Sequence, residues 1–399
     1  MHRRFLPIVL AILFVAVVAS GCGGGTVSAP NAPPVAPSLP SYNGNVGLDI
    51  LRCTDTDPSN YSLHWFRGVG FRDASTAFVT GDAGSLYAVS GNFAQPASLT
   101  ASAVSTPFDG THCWGNGVTF TDATHGYVVG YHDLKLYTRD GGVTWTKVEF
   151  QDGFDKYRLI SPSAGTLLLT GIARPIEYSN AAGDYFVDVV PPYPAPSAAP
   201  DQRNAFHDIA AASATHIVAV GTGERVDESS DGGRSWGRSS ATFTPALSGV
   251  PFLLGVAFDG TTGLGAIVGE EGTIYLTSDG GASWSAPATV PSGAANQTLV
   301  EAARLSPANI VIAGQLSPRL AKDATTNGIV WLSNDGGATW QTVTTAVDPV
   351  TQIVAPMAGL LNLAFYDSQH GLAVGLRGRI YATADGGAHW SIVHSGFEQ

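Results

Sequence analysis

The sequence predicts an all-β fold, a seven-bladed β-propeller built from four-stranded antiparallel blades. Three observations predict it: the composition, a turn motif that recurs along the chain, and a constant spacing between that motif and an upstream glycine. Only 13% of the residues are charged and 48 are glycine, whereas long amphipathic helices need many Lys, Glu and Leu residues. Such a composition favours short strands joined by tight turns.

The first residues predict export of the chain. Arg3 and Arg4 precede the apolar run FLPIVLAILFVAVVA, which is followed by SGC ending at Cys22. A basic start, a short apolar core and small residues are typical of a secretory signal, and the run is short for a bilayer core of ~30 Å. Because the context of Cys22 resembles a bacterial lipobox, residues 1–21 are predicted to be a lipoprotein signal peptide and Cys22 the lipid anchor. An ordinary signal peptide is the alternative.

Residues 22–44 are predicted to be a tether, and residues 45–399 the propeller. The tether is rich in Gly, Pro, Ser and Ala without periodicity, so it cannot bury enough apolar surface to fold. The net charge of −12 disfavours a nucleic-acid partner, because an acidic surface repels phosphate backbones. We expect a monomer in the cell envelope, held by Cys22 to a bacterial membrane on its periplasmic side or at the cell surface.

The motif [S/T]-x-D-G-G-x-x-W occurs five times, which is far beyond coincidence. Internal repeats at such intervals are typical of propellers and related arrays. The motif aspartates are Asp140, Asp231, Asp279, Asp335 and Asp385, and the motif tryptophans are Trp145, Trp236, Trp284, Trp340 and Trp390.

A second landmark indicates further copies. Each unit contains an apolar run that ends in glycine, such as YVVG at Gly130, and in four units the motif aspartate follows ten residues later. The same spacing from Gly171 reaches Ala181, which indicates a degenerate copy without its aspartate. A similar run ends at Gly81, with its hairpin motif lost in SGNFAQP, so the number of units is seven.

Each unit is predicted to contain an alternating strand, a VxVG-type strand, an IYxT strand and a strand after the tryptophan. Four short strands repeated seven times predict a propeller, because neighbouring blades then cover both faces of every sheet. The last unit ends soon after Trp390, so the N-terminal segment VGLDILRC is a candidate to pair into the seventh blade and close the ring.

The motif itself is best explained as a structural clip. Gly280 and Gly281 permit positive φ in a tight hairpin, while Asp279 and Thr277 can hydrogen-bond to the turn. Trp284 can then fold into the space between blades and bury ~200 Å². Five aspartates on five blades cannot meet at one reaction centre, whereas a clip can be reused on every blade.

The repeats resemble the Asp-box, or BNR, repeats of sialidases and other propellers. The longer segments VGEEGTIYLTSDGGASW (268–284) and VGLRGRIYATADGGAHW (374–390) resemble the photosystem II stability/assembly factor family of seven-bladed propellers. The resemblance implies a protein that assists assembly of a membrane complex by binding its subunits, without catalysis. Related repeats occur in exported bacterial proteins with no photosynthetic role, so the resemblance supports the fold more strongly than it supports a role in photosynthesis.

A carbohydrate-active hydrolase, glycosidase or sialidase-like, is the competing class, since two carboxylates at the channel mouth would suffice for glycoside hydrolysis. The resemblance to sialidases implies an Arg-Ile-Pro element and a tyrosine–glutamate pair, neither of which can be assigned; ARPIE at 173–177 is out of order. No G-x-S-x-G nucleophile elbow is assigned, since the match GRSWG at 233–237 belongs to an Asp-box repeat; the P-loop and HExxH motifs are absent, and the histidines lack metal-ligand spacing. We therefore expect no catalytic residue, metal or cofactor.

Cys53 and Cys113 remain after Cys22. In an oxidising exported compartment this even pair is a candidate disulfide. It would close a loop of about 60 residues and stabilise the fold by ~4 kcal/mol in the chain-entropy model. Two buried free thiols are the alternative.

One candidate binding site is the channel mouth, where the first strand of each blade begins. The positions next to the core residue of these strands form a partly polar ring: Gly68, Gly117, Arg158, Asp208, Glu301 and Asn362. Upstream of the ring, an aromatic rim is predicted from Trp65, Trp114, Tyr157 and His207. Internal ion pairing and ordinary packing between blades are the alternative explanation.

A second candidate is a group of four arginines on the first and seventh units, which adjoin in a closed ring: Arg67, Arg72, Arg377 and Arg379. Clustered arginines in an acidic protein indicate a docking surface for an acidic partner, and solvated surface is the alternative. Together these features predict an exported, lipid-anchored and non-catalytic propeller that binds a membrane-associated protein partner.

Overall fold

The computed structural model of the protein describes twelve stretches of the chain: 65–109, 111, 113–131, 134–148, 155–172, 176–179, 186–189, 205–248, 252–291, 293, 297–315 and 327–395. The predicted signal peptide, the tether, Cys53 and the segment VGLDILRC lie outside them. Within these stretches, no helix has the length and apolar character that crossing a membrane requires.

Among the described residues, 31 strands form seven sheets, which are the predicted seven blades. Blade 1 contains β1 (Phe66–Asp73), β2 (Thr76–Gly81), β3 (Leu86–Ser90) and β4 (Thr100–Ala103). Blade 2 contains β5 (Trp114–Phe120), β6 (Gly126–Tyr131), β7 (Lys135–Thr138) and β8 (Thr146–Lys147). Blade 3 contains β9 (Lys156–Ile160), β10 (Leu167–Gly171), β11 (Ile176–Ser179) and β12 (Val187–Asp188).

Blade 4 contains β13 (Phe206–Ala211), β14 (Ile217–Gly221), β15 (Arg225–Ser229) and β16 (Gly237–Arg238). Blade 5 contains β17 (Thr242–Thr244), β18 (Leu253–Phe258), β19 (Gly265–Gly269), β20 (Ile274–Thr277) and β21 (Ser283–Ser285). Blade 6 contains β22 (Thr298–Arg304), β23 (Ile310–Gln315), β24 (Gly328–Ser333) and β25 (Gln341–Val343). Blade 7 contains β26 (Thr345–Val347), β27 (Val354–Pro356), β28 (Leu360–Phe365), β29 (Gly371–Gly375), β30 (Arg379–Thr383) and β31 (Ser391–Ser395). Short 3₁₀ turns lie at Asp82–Gly84, Pro96–Ser98, Glu270–Gly272 and Leu376–Gly378.

The blades form a closed ring around a central channel. The inner strand of each blade contacts the inner strands of its neighbours, and β28 of blade 7 contacts β1 of blade 1. The hydrophobic core is divided into seven clusters, each shared by two adjacent blades. The cluster that closes the ring packs Phe66 and Val79 of blade 1 against Leu372 and Val374 of blade 7. This explains why the strands are apolar on both faces.

The blade edges differ from the simple four-strand prediction. The segment after Trp390 supplies the outer strand of blade 7, β31, and side chains of the described residues pack blades 1 and 7 together, while pairing of VGLDILRC into this blade stays a prediction. Short segments between blades add further strands: β17 pairs in parallel with β21, and β26 pairs in parallel with β31 and antiparallel with β27. These strands of three residues satisfy the exposed outer edges of blades 5 and 7, and they are too short to produce a sequence pattern.

A β-bulge near the start of the inner strand explains the glycine landmark. In all seven blades the register between the first two strands shifts there. In blade 4 the shift brings the Ala205 carbonyl over Gly221, where a Cβ would lie 2.0 Å from the oxygen. The equivalent glycines are Gly81, Gly130, Gly171, Gly221, Gly269, Gly314 and Gly375, and at each a Cβ would meet a backbone carbonyl oxygen at 2.5 Å or less. Glycine is therefore needed at each of these positions, because a backbone carbonyl at the start of the inner strand lies too close to allow a side chain.

Blades 2 and 3 share a buried ionic cluster within their interface. The Nζ of Lys156 is ion-paired with Oε1 of Glu177, and the Nζ of Lys135 lies 3.5 Å from Oε2 of the same carboxylate. The side chain of Lys156 is 0% exposed and that of Glu177 only 3%. Because isolated charges are costly to bury, the negative charge of Glu177 is needed to compensate the buried positive charges of Lys135 and Lys156.

Candidate binding site at the channel mouth

The Asp-box turns lie at the opposite end of the blades from the channel mouth, and each aspartate bonds to its own loop. Oδ1 of Asp279 accepts hydrogen bonds from the Thr277 hydroxyl at 2.7 Å and the Ser283 amide at 2.9 Å. Gly280 and Gly281 have φ values of 76° and 95°, which favour glycine. Asp140, Asp231, Asp335 and Asp385 make the same Oδ1 contacts.

These bonds keep the box aspartates ionised. The Thr144 hydroxyl and amide lower the pKa of Asp140 to about 2, and the Ser235 hydroxyl lowers the pKa of Asp231 to about 2. A carboxylate held this way is a poor proton donor near neutral pH. The box aspartates are thus arranged as turn acceptors.

The box tryptophans pack against the preceding blade. Trp284 is buried with Val218 and Val220 of blade 4, and Trp390 with Val311 of blade 6. The indole N–H groups of Trp145, Trp236 and Trp390 donate to the carbonyl of the second motif glycine. Trp340 differs, because its indole donates at 2.8 Å to the Thr289 carbonyl in the adjoining segment.

Arg158 lies across the channel and connects several blades. Its Nε is 3.7 Å from Oδ1 of Asp208, and its Nη2 is 3.4 Å from Oε2 of Glu301. Its Nη1 also donates to the Asn116 carbonyl at 3.1 Å and its Nη2 to the Leu361 carbonyl at 3.5 Å. The side chains of Asp208 and Glu301 are only 6% and 9% exposed. Three of the ring positions predicted from sequence are therefore engaged with one another.

The two carboxyl groups share a protonation equilibrium. Burial raises the pKa of Asp208 to about 6, against the lowering effect of Arg158. Burial, together with the negative charge of Asp208, raises the pKa of Glu301. Glycosidases hold their two carboxyl groups on either side of the substrate, whereas both of these side chains are buried against the same guanidinium.

The pH dependence of stability should report this pair. The folded state keeps the Asp208 proton between pH 4 and 6 while the unfolded chain loses it, so this group's stabilisation falls as pH rises through that window. His207 has the opposite effect, because burial and the charge of Arg158 lower its pKa to about 4. Its contribution to the unfolding free energy therefore falls as the pH drops below about 6.5, the usual pKa of histidine. For Asp208→Asn we therefore expect an unfolding free energy that rises more steeply from pH 4 to 6 than in the parent protein.

Urea unfolding at each pH measures that slope. His207→Gln provides the matched control, since its slope should change in the opposite direction. If the unfolding free energy changed with pH in the same way in the parent and in both variants, the raised pKa of Asp208 and the lowered pKa of His207 would be contradicted.

Above Arg158, aromatic rings form a row along the channel mouth. The centroids of Trp114 and Tyr131 are 5.3 Å apart, and those of Tyr131 and Tyr157 are 5.6 Å apart. The row continues from Tyr157 to His207 at 5.2 Å and from His207 to Phe252 at 5.5 Å. All five rings are half-buried. We call these five residues the aromatic row.

Arg67 begins the row on the side of blade 1. Its guanidinium lies 4.9 Å from the ring of Trp65 and 4.7 Å from that of Trp114. Its Nε donates to Oδ1 of Asp82 at 2.7 Å. The predicted rim of Trp65, Trp114, Tyr157 and His207 is thus brought together at the mouth.

A pocket of about 290 Å³ opens beside the aromatic row. Every blade contributes to its lining, which includes Arg67, Asn116, Arg158, His207, Phe252, Val300 and Leu361. A concave site with apolar walls and a few polar groups is the usual form of a ligand site. Among the described residues, no group of three or more His, Cys, Asp or Glu side chains is placed to hold a metal ion.

The four predicted arginines do not form one patch. Arg72 lies at the far end of β1 from Arg67 and donates to the Gly141 carbonyl at 2.7 Å, in the Asp-box turn of blade 2. An extended strand rises about 3.3 Å per residue, so the five residue steps from Arg67 to Arg72 separate the two arginines by about 16 Å. Arg377, exposed in the Leu376–Gly378 turn, and the half-buried Arg379 lie at the mouth end.

Cys113 is fully buried and disulfide-bonded. Since Cys53 lies outside the described residues, its pairing with Cys113 stays a prediction. The lipid anchor at Cys22 lies outside them as well.

Sequence reasoning missed part of the pocket. Tyr131, Thr222 and Glu270 line it and each directly follows a landmark glycine. The residue after Gly81, Asp82, is the partner of Arg67. The glycine spacing therefore contained a signal for these positions, because the residue after the bulge contact is the first one at the mouth.

Comparisons with known proteins agree with this geometry. The model of the photosynthesis system II assembly factor YCF48 family matches residues 198–359, which include blades 4 to 6. A solved structure of YCF48 bound to a D1 peptide has 18% identity and a TM-score of 0.58, covering 80% of this chain and 93% of that one. YCF48 from Cyanidioschyzon merolae has 13% identity and a TM-score of 0.55, covering 81% and 95%.

Other propellers are also similar. The GH74 xyloglucanase from Xanthomonas campestris has 16% identity and a TM-score of 0.57, covering 84% of this chain and 55% of that one. A search of curated proteins found no match. At such identities the structures establish the fold alone. The chain is thus a seven-bladed propeller that resembles the photosystem II assembly factor family, in sequence over residues 198–359 and in fold over most of its length.

Proposed function

We propose that this protein is a non-catalytic binding scaffold that holds a protein partner at the mouth of its channel. The observation that carries the proposal is the pocket beside the aromatic row, to which all seven blades contribute. Aromatic side chains in a concave site are typical anchors of protein interfaces. The similar YCF48 structure is bound to a D1 peptide, which supports a peptide-binding role for this protein.

The arrangement of carboxylates favours binding over hydrolysis. Asp208 and Glu301 are buried and ion-paired with Arg158. A guanidinium therefore occupies both carboxylates, which are not free to flank a glycosidic bond. The GH74 likeness concerns the fold only.

The proposal includes export and attachment to a membrane through acylated Cys22, with a membrane-associated partner. The apolar run after Arg3 and Arg4 and the lipobox-like context of Cys22 support it. Metabolic labelling with a palmitate analogue, in the parent and in Cys22→Ser, tests the anchor. Equal labelling of both proteins would contradict it.

Capture of partners from solubilised membranes tests the binding role. Phe252→Arg places a charge in the pocket and is expected to reduce the captured partner at least tenfold. Tyr366→Arg is the matched control, because Tyr366 is an exposed aromatic residue at the opposite end of the inner strands. An Arg377→Ala, Arg379→Ala double variant measures the contribution of the mouth arginines. Unchanged capture by Phe252→Arg would contradict binding at the mouth.

A further inference from the structure

We propose that the segment bound at the channel mouth is an uncharged, proline-rich peptide in an extended polyproline II conformation. This inference rests on the proposed function and specifies the chemistry of the bound segment. It is carried by the spacing of the aromatic row, the internal pairing of the nearby charges, and two buried polar atoms beside the pocket.

The spacing of the aromatic row fits such a segment. Successive ring centroids from Trp114 to Phe252 lie 5.2 to 5.6 Å apart. A polyproline II helix rises about 3.1 Å per residue, so about two residues span one ring interval. Grooves lined by aromatic rings bind such segments because the ligand is preformed and loses little entropy.

The charged side chains that line the pocket are already engaged within the chain. Arg67 is bound to Asp82 and stacked between two indoles, and Arg158 is bound to Asp208 and Glu301. Glu270, which also lines the pocket, is likewise engaged within the chain. A charged ligand would have to displace these partners, whereas an uncharged segment leaves them intact.

Two polar atoms beside the aromatic row point to a ligand rich in hydrogen-bond acceptors. Trp65 Nε1 and His207 Nε2 are buried and have no hydrogen-bond partner among the described residues. Indole N–H can only donate. The imidazole is neutral, because burial lowers its pKa to about 4, and its Nε2 donates in the tautomer that carries the proton there. The carbonyl groups of a polyproline II segment make no internal hydrogen bonds and are free to accept.

Fluorescence anisotropy with the full-length protein and a fluorescein-labelled decaproline peptide tests the proposal. We expect saturable binding at least tenfold tighter than to a glycine–serine decapeptide, and little change between 50 and 500 mM salt. Phe252→Ala should weaken binding at least tenfold and Trp65→Phe, which keeps an aromatic ring but removes the indole N–H, at least threefold. Tyr366→Ala should bind as the parent does.

Equal affinity for decaproline and the glycine–serine peptide would overturn the proposal. So would tighter, salt-sensitive binding of a glycine–glutamate decapeptide, since it would identify an acidic ligand. Competition in the membrane capture experiment separates the two levels of inference. If Phe252→Arg abolishes capture but unlabelled decaproline does not compete, the binding role stands and the proline-rich ligand is wrong.

Discussion

Replacing Glu177 with alanine is expected to lower the free energy of unfolding by about 3–5 kcal/mol. The substitution removes the carboxylate that faces Lys156 and Lys135 inside the interface of blades 2 and 3. Two buried ammonium groups would then lie close together without it, and their repulsion adds to the cost of desolvation. Guanidinium unfolding followed by tryptophan fluorescence measures the change.

A triple variant, Lys135→Met, Lys156→Met and Glu177→Met, is the control for loss of the charges as a set. Apolar side chains of similar length fill the same space without a desolvation cost, so we expect a stability close to that of the parent. If Glu177→Ala costs less than about 1 kcal/mol, the cluster is solvated and its assigned role is wrong.

Replacing Gly221 with alanine is expected to destabilise the fold by about 3 kcal/mol. The new Cβ would lie 2.0 Å from the Ala205 carbonyl oxygen and 2.9 Å from the Cα of Phe206. Since both neighbours are backbone atoms of the bulged inner strand, relief requires movement of the strand itself.

Gly237→Ala is the matched control for this substitution. Gly237 has open space at its Cβ position and no positive φ, so alanine there should be neutral or stabilise by up to about 1 kcal/mol. Equal effects of the two substitutions on the unfolding midpoint would contradict a role for the bulge contact.

The repeat could be predicted from the sequence because its causes are local. The hairpin of Gly280 and Gly281 needs two glycines, and Gly221 needs the absence of a Cβ. The first requirement recurs in five blades and the second in all seven, so the number of blades followed from the spacing. The short edge strands β17 and β26 could not be predicted from the sequence. They form because each pairs with the otherwise unpaired edge of an outer strand, β21 or β31.

The candidate site could be predicted only in part. The blade register placed Trp65, Trp114, Tyr157 and His207 at one end of the channel, since they precede equivalent core residues. Arg72 lies apart from Arg67, because the two arginines stand near opposite ends of β1, which membership of the same unit does not reveal. Which charges pair across the channel, as Arg158 does with Glu301, depends on the closed ring and has no local signal.

The guanidinium of Arg158 lies in the channel between its two ends. It contacts carbonyl and carboxylate groups from blades on several sides of the ring and so connects these blades across the channel. A bound segment that leaves these contacts intact would lie over the opening of the channel and would not pass through it. The side that carries the Asp-box turns is left available for separate contacts with its surroundings.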